Sequence, residues 1–148
     1  MERSLVIIKP DAIQRGLAGE IISRLEKKGL KIVGMKMLHM DRNRAQRHYA
    51  IHKGKAFFNN LVDFITSSPI IAIVFQGKNA VDIIRQTMGE TDPAKASSGT
   101  IRGDLGIEIG HNLVHGSDSL ENASGEIDLF FSADEIVNYD RELDRWIY

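Results

Sequence analysis

Eight residues, His111-Asn112-Leu113-Val114-His115-Gly116-Ser117-Asp118, hold two imidazoles, an amide, a hydroxyl and a carboxylate. Leu113-Val114 is the only bulky apolar pair among them. An imidazole titrates near neutral pH, so at pH 7 much of it is an uncharged nucleophile or base. The mixture suits work on a phosphate or an acyl group. Gly116 leaves room for a ligand to approach the backbone beside His115. Gly-Ser-Asp is also ordinary turn chemistry, and Ser117 or Asp118 can cap a following helix.

Cations that suit phosphate oxygens are spread along the chain. Lys9 ends the apolar run Leu5-Val6-Ile7-Ile8, where Pro10 stops a strand because it has no N–H to give a ladder. Arg85 and Arg102 offer planar donor forks. Tyr49, His52 and Thr91 add neutral donors. There is no Gly-x-x-x-x-Gly-Lys-Ser/Thr loop and no Gly-x-Gly-x-x-Gly after a strand, so side chains must do the phosphate binding. No Asp-x-Asp pair or histidine cluster builds a metal site. Any Mg²⁺ would ride on nucleotide phosphates with waters, as that ion prefers.

The elements that must position these groups follow from periodicity. Leu5–Ile8 and Ile70–Phe75 are continuous apolar runs, the mark of strands buried on both faces. Leu30–Met40 reads as a second strand and Leu113-Val114 as a short fourth. Ala18, Ile21, Ile22 and Leu25 form one apolar stripe, with Gly29 as its stop. Asp41–His52 is polar and helix-compatible, so Tyr49 and His52 share a face. Its arginines and His48 read as a solvated surface. Phe58, Leu61, Val62 and Ile65 make a core stripe, with Phe57 turned about 100° away, as core rim or free to stack on a base. Asn79 caps a helix whose Val81, Ile84 and Met88 face inward. Gly89–Gly110 reads as a long functional loop. Ser119–Gly125 suits a helical turn, Ile127–Phe131 is ambiguous, Asp134–Val137 looks like a last turn, and the tail Asp140–Tyr148 should dock through its aromatics.

The chain has 148 residues, a net charge of −1 and no cysteine. One domain, 1–148, is expected, without disulfides or thiolate metal sites. The charge gives no bulk field for nucleic acid, no apolar run reaches membrane-span length, and Met1-Glu2-Arg3-Ser4 lacks a secretory apolar core. A cytoplasmic protein without membrane or stable nucleic-acid partners is expected. The element order predicts an α+β sandwich, β-α-β-β-α-β, with a four-stranded antiparallel sheet and helices on one face. The other face is left to a loop, a tail or a partner.

Asn112-x-x-His115-Gly116-Ser117-Asp118 resembles the active-site signature of the nucleoside diphosphate kinases. Leu5-Val6-Ile7-Ile8-Lys9-Pro10-Asp11 and Gly99-Thr100-Ile101-Arg102-Gly103-Asp104 extend the resemblance, which runs from Ser4 to Trp146. It implies a ferredoxin-like fold and a ping-pong transfer of the γ-phosphate from a nucleoside triphosphate to a diphosphate. In that family pattern His115 is the phosphoryl carrier, Glu126 orients its imidazole and Ser117 supports the site. Lys9 and Asn112 match sugar-hydroxyl contacts, and Lys9 also reaches the transferred phosphate. Tyr49, His52, Arg85, Thr91 and Arg102 match the phosphate set. Phe57 and Ile109, with Leu61 beside them, match the base clamp. The resemblance also implies Mg²⁺ and a homo-oligomer, a hexamer or else a tetramer. Ala56 and Ser98 stand where prolines are frequent in the family, and Lys55 where arginine is common. A phosphohistidine relay or nucleotide-sensing protein without turnover is the alternative.

Overall fold

The computed structural model describes all residues, 1–148. Its strands are β1 (Glu2–Ile8), β2 (Lys31–Leu38), β3 (Ile70–Gly77) and β4 (Val114–Gly116). Its helices are α1 (Pro10–Gln14), α2 (Ala18–Lys27), α3 (Arg42–His48), α4 (Phe58–Ile65), α5 (Ala80–Met88), α6 (Ile101–Leu105) and α7 (Leu120–Phe130). The sheet order is β2-β3-β1-β4, with every pair antiparallel. This is the ferredoxin-like sandwich the element order predicts.

Alternation along β1 explains its unbroken apolar run. Val6 and Ile8 join one core with Ile21 and Leu25 of α2 and with Ala80, Ile84 and Met88 of α5. Leu5 and Ile7 join a second core with Ala45 of α3, Val62 and Ile65 of α4, and Phe130 of α7. The expected helices line the first face, but the second face is not bare: α3, α4 and α7 cover it. A strand with no polar residue over four positions needs apolar cover on both sides.

Several local expectations are corrected. Pro10 ends β1 and also starts α1, at the helix position where a missing N–H costs nothing. Asn79 precedes α5 at φ 55° and makes no side-chain cap. The Gly89–Gly110 stretch is not structureless, because Thr100 caps α6 by accepting from Gly103 N. A side chain on Gly103 would meet Ser97 O at 2.0 Å, so only glycine permits that close approach. Asp104 accepts from Gly99 N and from Arg24, which ties the segment to α2. These bonds hold the segment that carries Arg102 from within the chain. α7 continues to Phe130, so the ambiguous Ile127–Phe131 run is helical almost throughout. The tail does dock: Arg141 donates to Gly29 O and Leu30 O, and Lys78 N donates to the Tyr148 hydroxyl. Trp146 stays out, 79% exposed.

β2 is an edge strand. Val137 N donates to Val33 O, which covers part of that edge. Met35 and Met37 stand exposed beyond it.

Candidate active site

The end of β1 and the entry to β4 meet at one place. Lys9 N donates to Leu113 O at 2.9 Å, and Lys9 Nζ donates to Asn112 Oδ1 at 2.8 Å. Leu113 has φ 73°, a left-handed conformation rarely adopted by a branched side chain. Its N–H is held by Asp11 Oδ2 at 3.0 Å, and its side chain is fully buried. The turn aims Asn112 back at Lys9 while β4 starts beside β1. Ile7 and His115 then sit opposite one another in the sheet.

His115 Nε2 lies 2.8 Å from Glu126 Oε1. Ser117 Oγ donates to the other oxygen, Oε2, at 2.5 Å, and accepts from Leu5 N at 3.3 Å. Burial pushes the Glu126 carboxyl up, but the hydrogen bond and charge of His115, with the Ser117 bond, outweigh this and hold it below its ordinary range. An ionised carboxylate only accepts, so Nε2 carries the proton and donates. The other ring nitrogen, Nδ1, keeps its lone pair when the ring is neutral. α7 supplies Glu126, and Ser119 fixes its start by accepting from Asn122 N.

Lys9, Tyr49, His52, Arg85, Thr91, Arg102, Asn112, His115 and Glu126 all line one cavity of about 690 Å³. The sequence placed these nine together, and the fold brings them together. Tyr49 closes α3, and a separate 3-10 turn carries His52, so they do not share one helix face. Their rings are still 6.4 Å apart. Ser117 lies behind the cavity wall, fully buried. Phe57, Leu61 and Ile109 are not part of the wall. Phe57 is 45% exposed and stands 5.2 Å from His52, ring to ring. Ile109 is exposed and Leu61 half-buried. A larger open groove, about 940 Å³, lies elsewhere on the surface beside Met1, Lys78 and Leu120. It has no imidazole, and its Arg3 is already tied to Gln76 and Asn138.

Arg102 has a second task. Its guanidinium donates to Asn112 O, Gly89 O and Val114 O, at 3.1, 3.1 and 2.6 Å. It therefore splints the loop and β4, and only part of its fork remains for a ligand. Burial and the nearby Arg85 bring it down to about 10, still charged at neutral pH. Burial, then Arg102, brings Lys9 down to about 8, with Asp11 opposing. Burial and Glu126 push the Tyr49 hydroxyl up to about 12, so it stays a neutral donor. Gly116 is explained differently from expectation. The space a side chain would take is filled by Met88 Sδ at 2.6 Å and Ile84 at 3.0 Å, so it admits α5 rather than a ligand.

Two residues went unassigned in the sequence. Asp11 is the brace for Leu113. His48, placed with the solvated arginines, is buried to 2% against the site. Its spacing from Ala45, three residues earlier and fully buried, was the available signal. His48, His115 and Glu126 are the side chains that converge as possible metal ligands. Imidazole-rich and half-buried, they are a poor match for Mg²⁺, which prefers oxygen ligands and waters.

The nucleoside diphosphate kinase family model matches residues 2–136. A nucleoside diphosphate kinase of Pelotomaculum thermopropionicum is 60% identical over 148 residues, covering 100% of this chain and 99% of that protein. One from Archaeoglobus fulgidus is 57% identical over 148 residues, covering 100% and 98%. The solved structure of a halophilic nucleoside diphosphate kinase from Halobacterium salinarum in complex with CDP aligns with a TM-score of 0.97 at 51% identity, covering 99% of this chain and 98% of that one.

Proposed function

Given that the chain belongs to the nucleoside diphosphate kinase family, phosphotransferases acting on nucleotides, we propose that His115 carries the phosphoryl group from a nucleoside triphosphate to a nucleoside diphosphate. The observation that carries this is the His115–Glu126 bond, which occupies Nε2 and leaves Nδ1 as the nucleophile in a cavity lined with cations.

The Nδ1 lone pair attacks the γ-phosphorus in line. The bond from that phosphorus to the β–γ bridging oxygen breaks, and its electron pair leaves with the diphosphate. A second diphosphate enters the same cavity, its terminal oxygen attacks, and the P–N bond returns its electrons to the ring. Lys9, Arg85 and Arg102 neutralise charge on the transferred oxygens, with Tyr49, His52 and Thr91 as donors. Glu126 holds the ring plane and offsets the positive character the ring gains, and Ser117 holds Glu126. Lys9 and Asn112 take sugar hydroxyls. Phe57 and Ile109, with Leu61 beside them, clamp the base. Mg²⁺, held by phosphate oxygens and water rather than by a protein cage, supplies further charge neutralisation when bound.

Assembly and place belong to the same reading. We read residues 1–148 as one domain, because both cores share the sheet and β1 feeds each in alternation. The β2 edge, with exposed Met35 and Met37, suits pairing with a second copy, and we take the assembly to be a hexamer, with a tetramer as the variant. No helix is long and apolar enough to cross a membrane. We place the reaction in the cytoplasm, which a chain without cysteine tolerates.

Incubation with γ-labelled ATP and Mg²⁺ tests the carrier. The expected label is acid-labile, base-stable, mapped to His115 and passed to added GDP. Label in the His115→Ala chain at the wild-type level would move the nucleophile elsewhere.

A further inference from the structure

His48 is held in an aromatic cage. Its ring is nearly perpendicular to that of His115, at 82°, with centroids 4.8 Å apart. Tyr49 and Phe130 flank it at 4.7 and 5.7 Å. The side chain is 2% exposed, and Nδ1 has no hydrogen-bond partner. Nδ1 lies 4.0 Å from Glu126 Oε1, the same oxygen that binds His115. Burial, and then the charge of His115, bring His48 down to about 3, so it is neutral at pH 7. A neutral imidazole carries one N–H, and placing it on the nitrogen that faces a carboxylate is the favourable tautomer. A buried donor without a partner is costly. Phenylalanine would fill the same cage without that cost, so the nitrogen needs another reason to be there.

We propose that His48 is a positioning residue for phosphoryl transfer: its ring fixes the plane of His115, and its Nδ1–H becomes a third donor to Glu126 while His115 carries the phosphoryl group. This rests on His115 being the carrier. In the resting site Glu126 has two donors, His115 and Ser117. As the His115 ring gains positive character its bond to Oε1 tightens, and the carboxylate must not swing with it. Closing the gap from His48 to hydrogen-bond length requires a movement of about 1 Å. The third donor then holds Oε1 from the side, and the ring stays aligned for the return half-reaction.

Variants of the full chain test it by single-turnover labelling from ATP, ADP calorimetry and thermal melting. His48→Phe keeps the ring and loses the donor. His48→Asn puts an amide nitrogen close to the Nδ1 position. His48→Gln places its amide at the other nitrogen. His48→Phe and His48→Gln should label His115 about tenfold more slowly while binding ADP within about twofold of wild type. His48→Asn should recover to within about threefold, and in a Glu126→Gln background the His48→Phe loss should shrink below about twofold. Wild-type labelling by His48→Phe, equal loss in Phe and Asn, or an undiminished loss beside Glu126→Gln overturns the proposal. Label on a residue other than His115 in the wild-type chain overturns the carrier assignment instead.

Discussion

Lys9 Nζ donates to Asn112 Oδ1 at 2.8 Å, joining the end of the first strand to the turn that enters the last. Asn112 Nδ2 in turn donates to Thr91 O. One amide thus ties a cation and the long loop together at the cavity. The lysine is poised rather than satisfied, because burial and Arg102 disfavour its charge and phosphate would restore it.

A pH dependence follows from Lys9. With its value down at about 8, Lys9 is charged below that pH and neutral above it. Nucleotide phosphates favour the charged form, so kcat/KM should fall as pH rises through about 8. At pH 8.5, ADP binding should take up protons, which calorimetry in two buffers of different ionisation heat will read. Lys9→Arg should have lower activity but no alkaline limb near 8. A limb that persists in that variant belongs to another group.

Ser117→Ala removes the donor to Glu126 and the acceptor of Leu5 N. We expect kcat to drop about tenfold with KM within about twofold, since Glu126 loses one of its two restraints. A buried N–H left unpaired costs about 1–3 kcal/mol, and Tm should fall by several degrees, roughly 2–4 °C per kcal/mol. A variant with unchanged kcat would remove Ser117 from the mechanism.

Base discrimination should be slight. Stacking on Phe57 reads a π-face that every base has. Values of kcat/KM for GDP, CDP, UDP and dTDP should lie close together, and Phe57→Ala should raise KM for all four by similar factors. A preference above about a hundredfold, roughly 2.7 kcal/mol, would require base-edge hydrogen bonds and end the stacking account.

Gly116→Ala should destabilise by about 1–3 kcal/mol, because its methyl meets Met88 Sδ at 2.6 Å and Ile84 at 3.0 Å. Met88→Ala in the same chain should recover part of the loss, read by denaturant midpoint. Additive losses would show that the two side chains do not compete for that space.

Assembly is checked by sedimentation equilibrium at micromolar concentration. The expected species is a hexamer, shifted toward smaller forms when Met35 and Met37 are both replaced by lysine. A fully active 16.6 kDa species would overturn the oligomer.

The strongest periodic signals in the sequence carried the fold. Leu5–Ile8 and Ile70–Phe75 are strands because ten apolar side chains in two short runs need cover on both faces. The candidate site was legible because Asn112-x-x-His115-Gly116-Ser117-Asp118 concentrates reactive groups and resembles a family signature, and Lys9 and Glu126 took their roles from that resemblance. Asn79 misled because its type suggests a cap, while its actual use is a left-handed turn that asparagine also tolerates. The loop after Gly89 hid α6, since five residues are too few to show a period. The cover on the second face was underestimated because α3 offers only Ala45 and His48 to the core amid three arginines and other polar residues, so the face reads as solvated. Arg102 looked like a ligand to phosphate alone, and nothing local to its sequence announces three backbone acceptors that lie elsewhere along the chain.

The sheet also sets a timetable for synthesis. β1 is made first yet lies inside the sheet, and the strand that closes its second edge, Val114–Gly116, is made last. At ordinary translation rates, roughly 5–20 s separate the two. During that interval a nascent chain presents an apolar strand with one open edge, which other chains can pair with. A ribosome that stalls before Val114 releases a product that lacks His115 and carries an unpaired edge. Truncated products should therefore be found inactive and in inclusion bodies, and turnover in a lysate counts only completed chains.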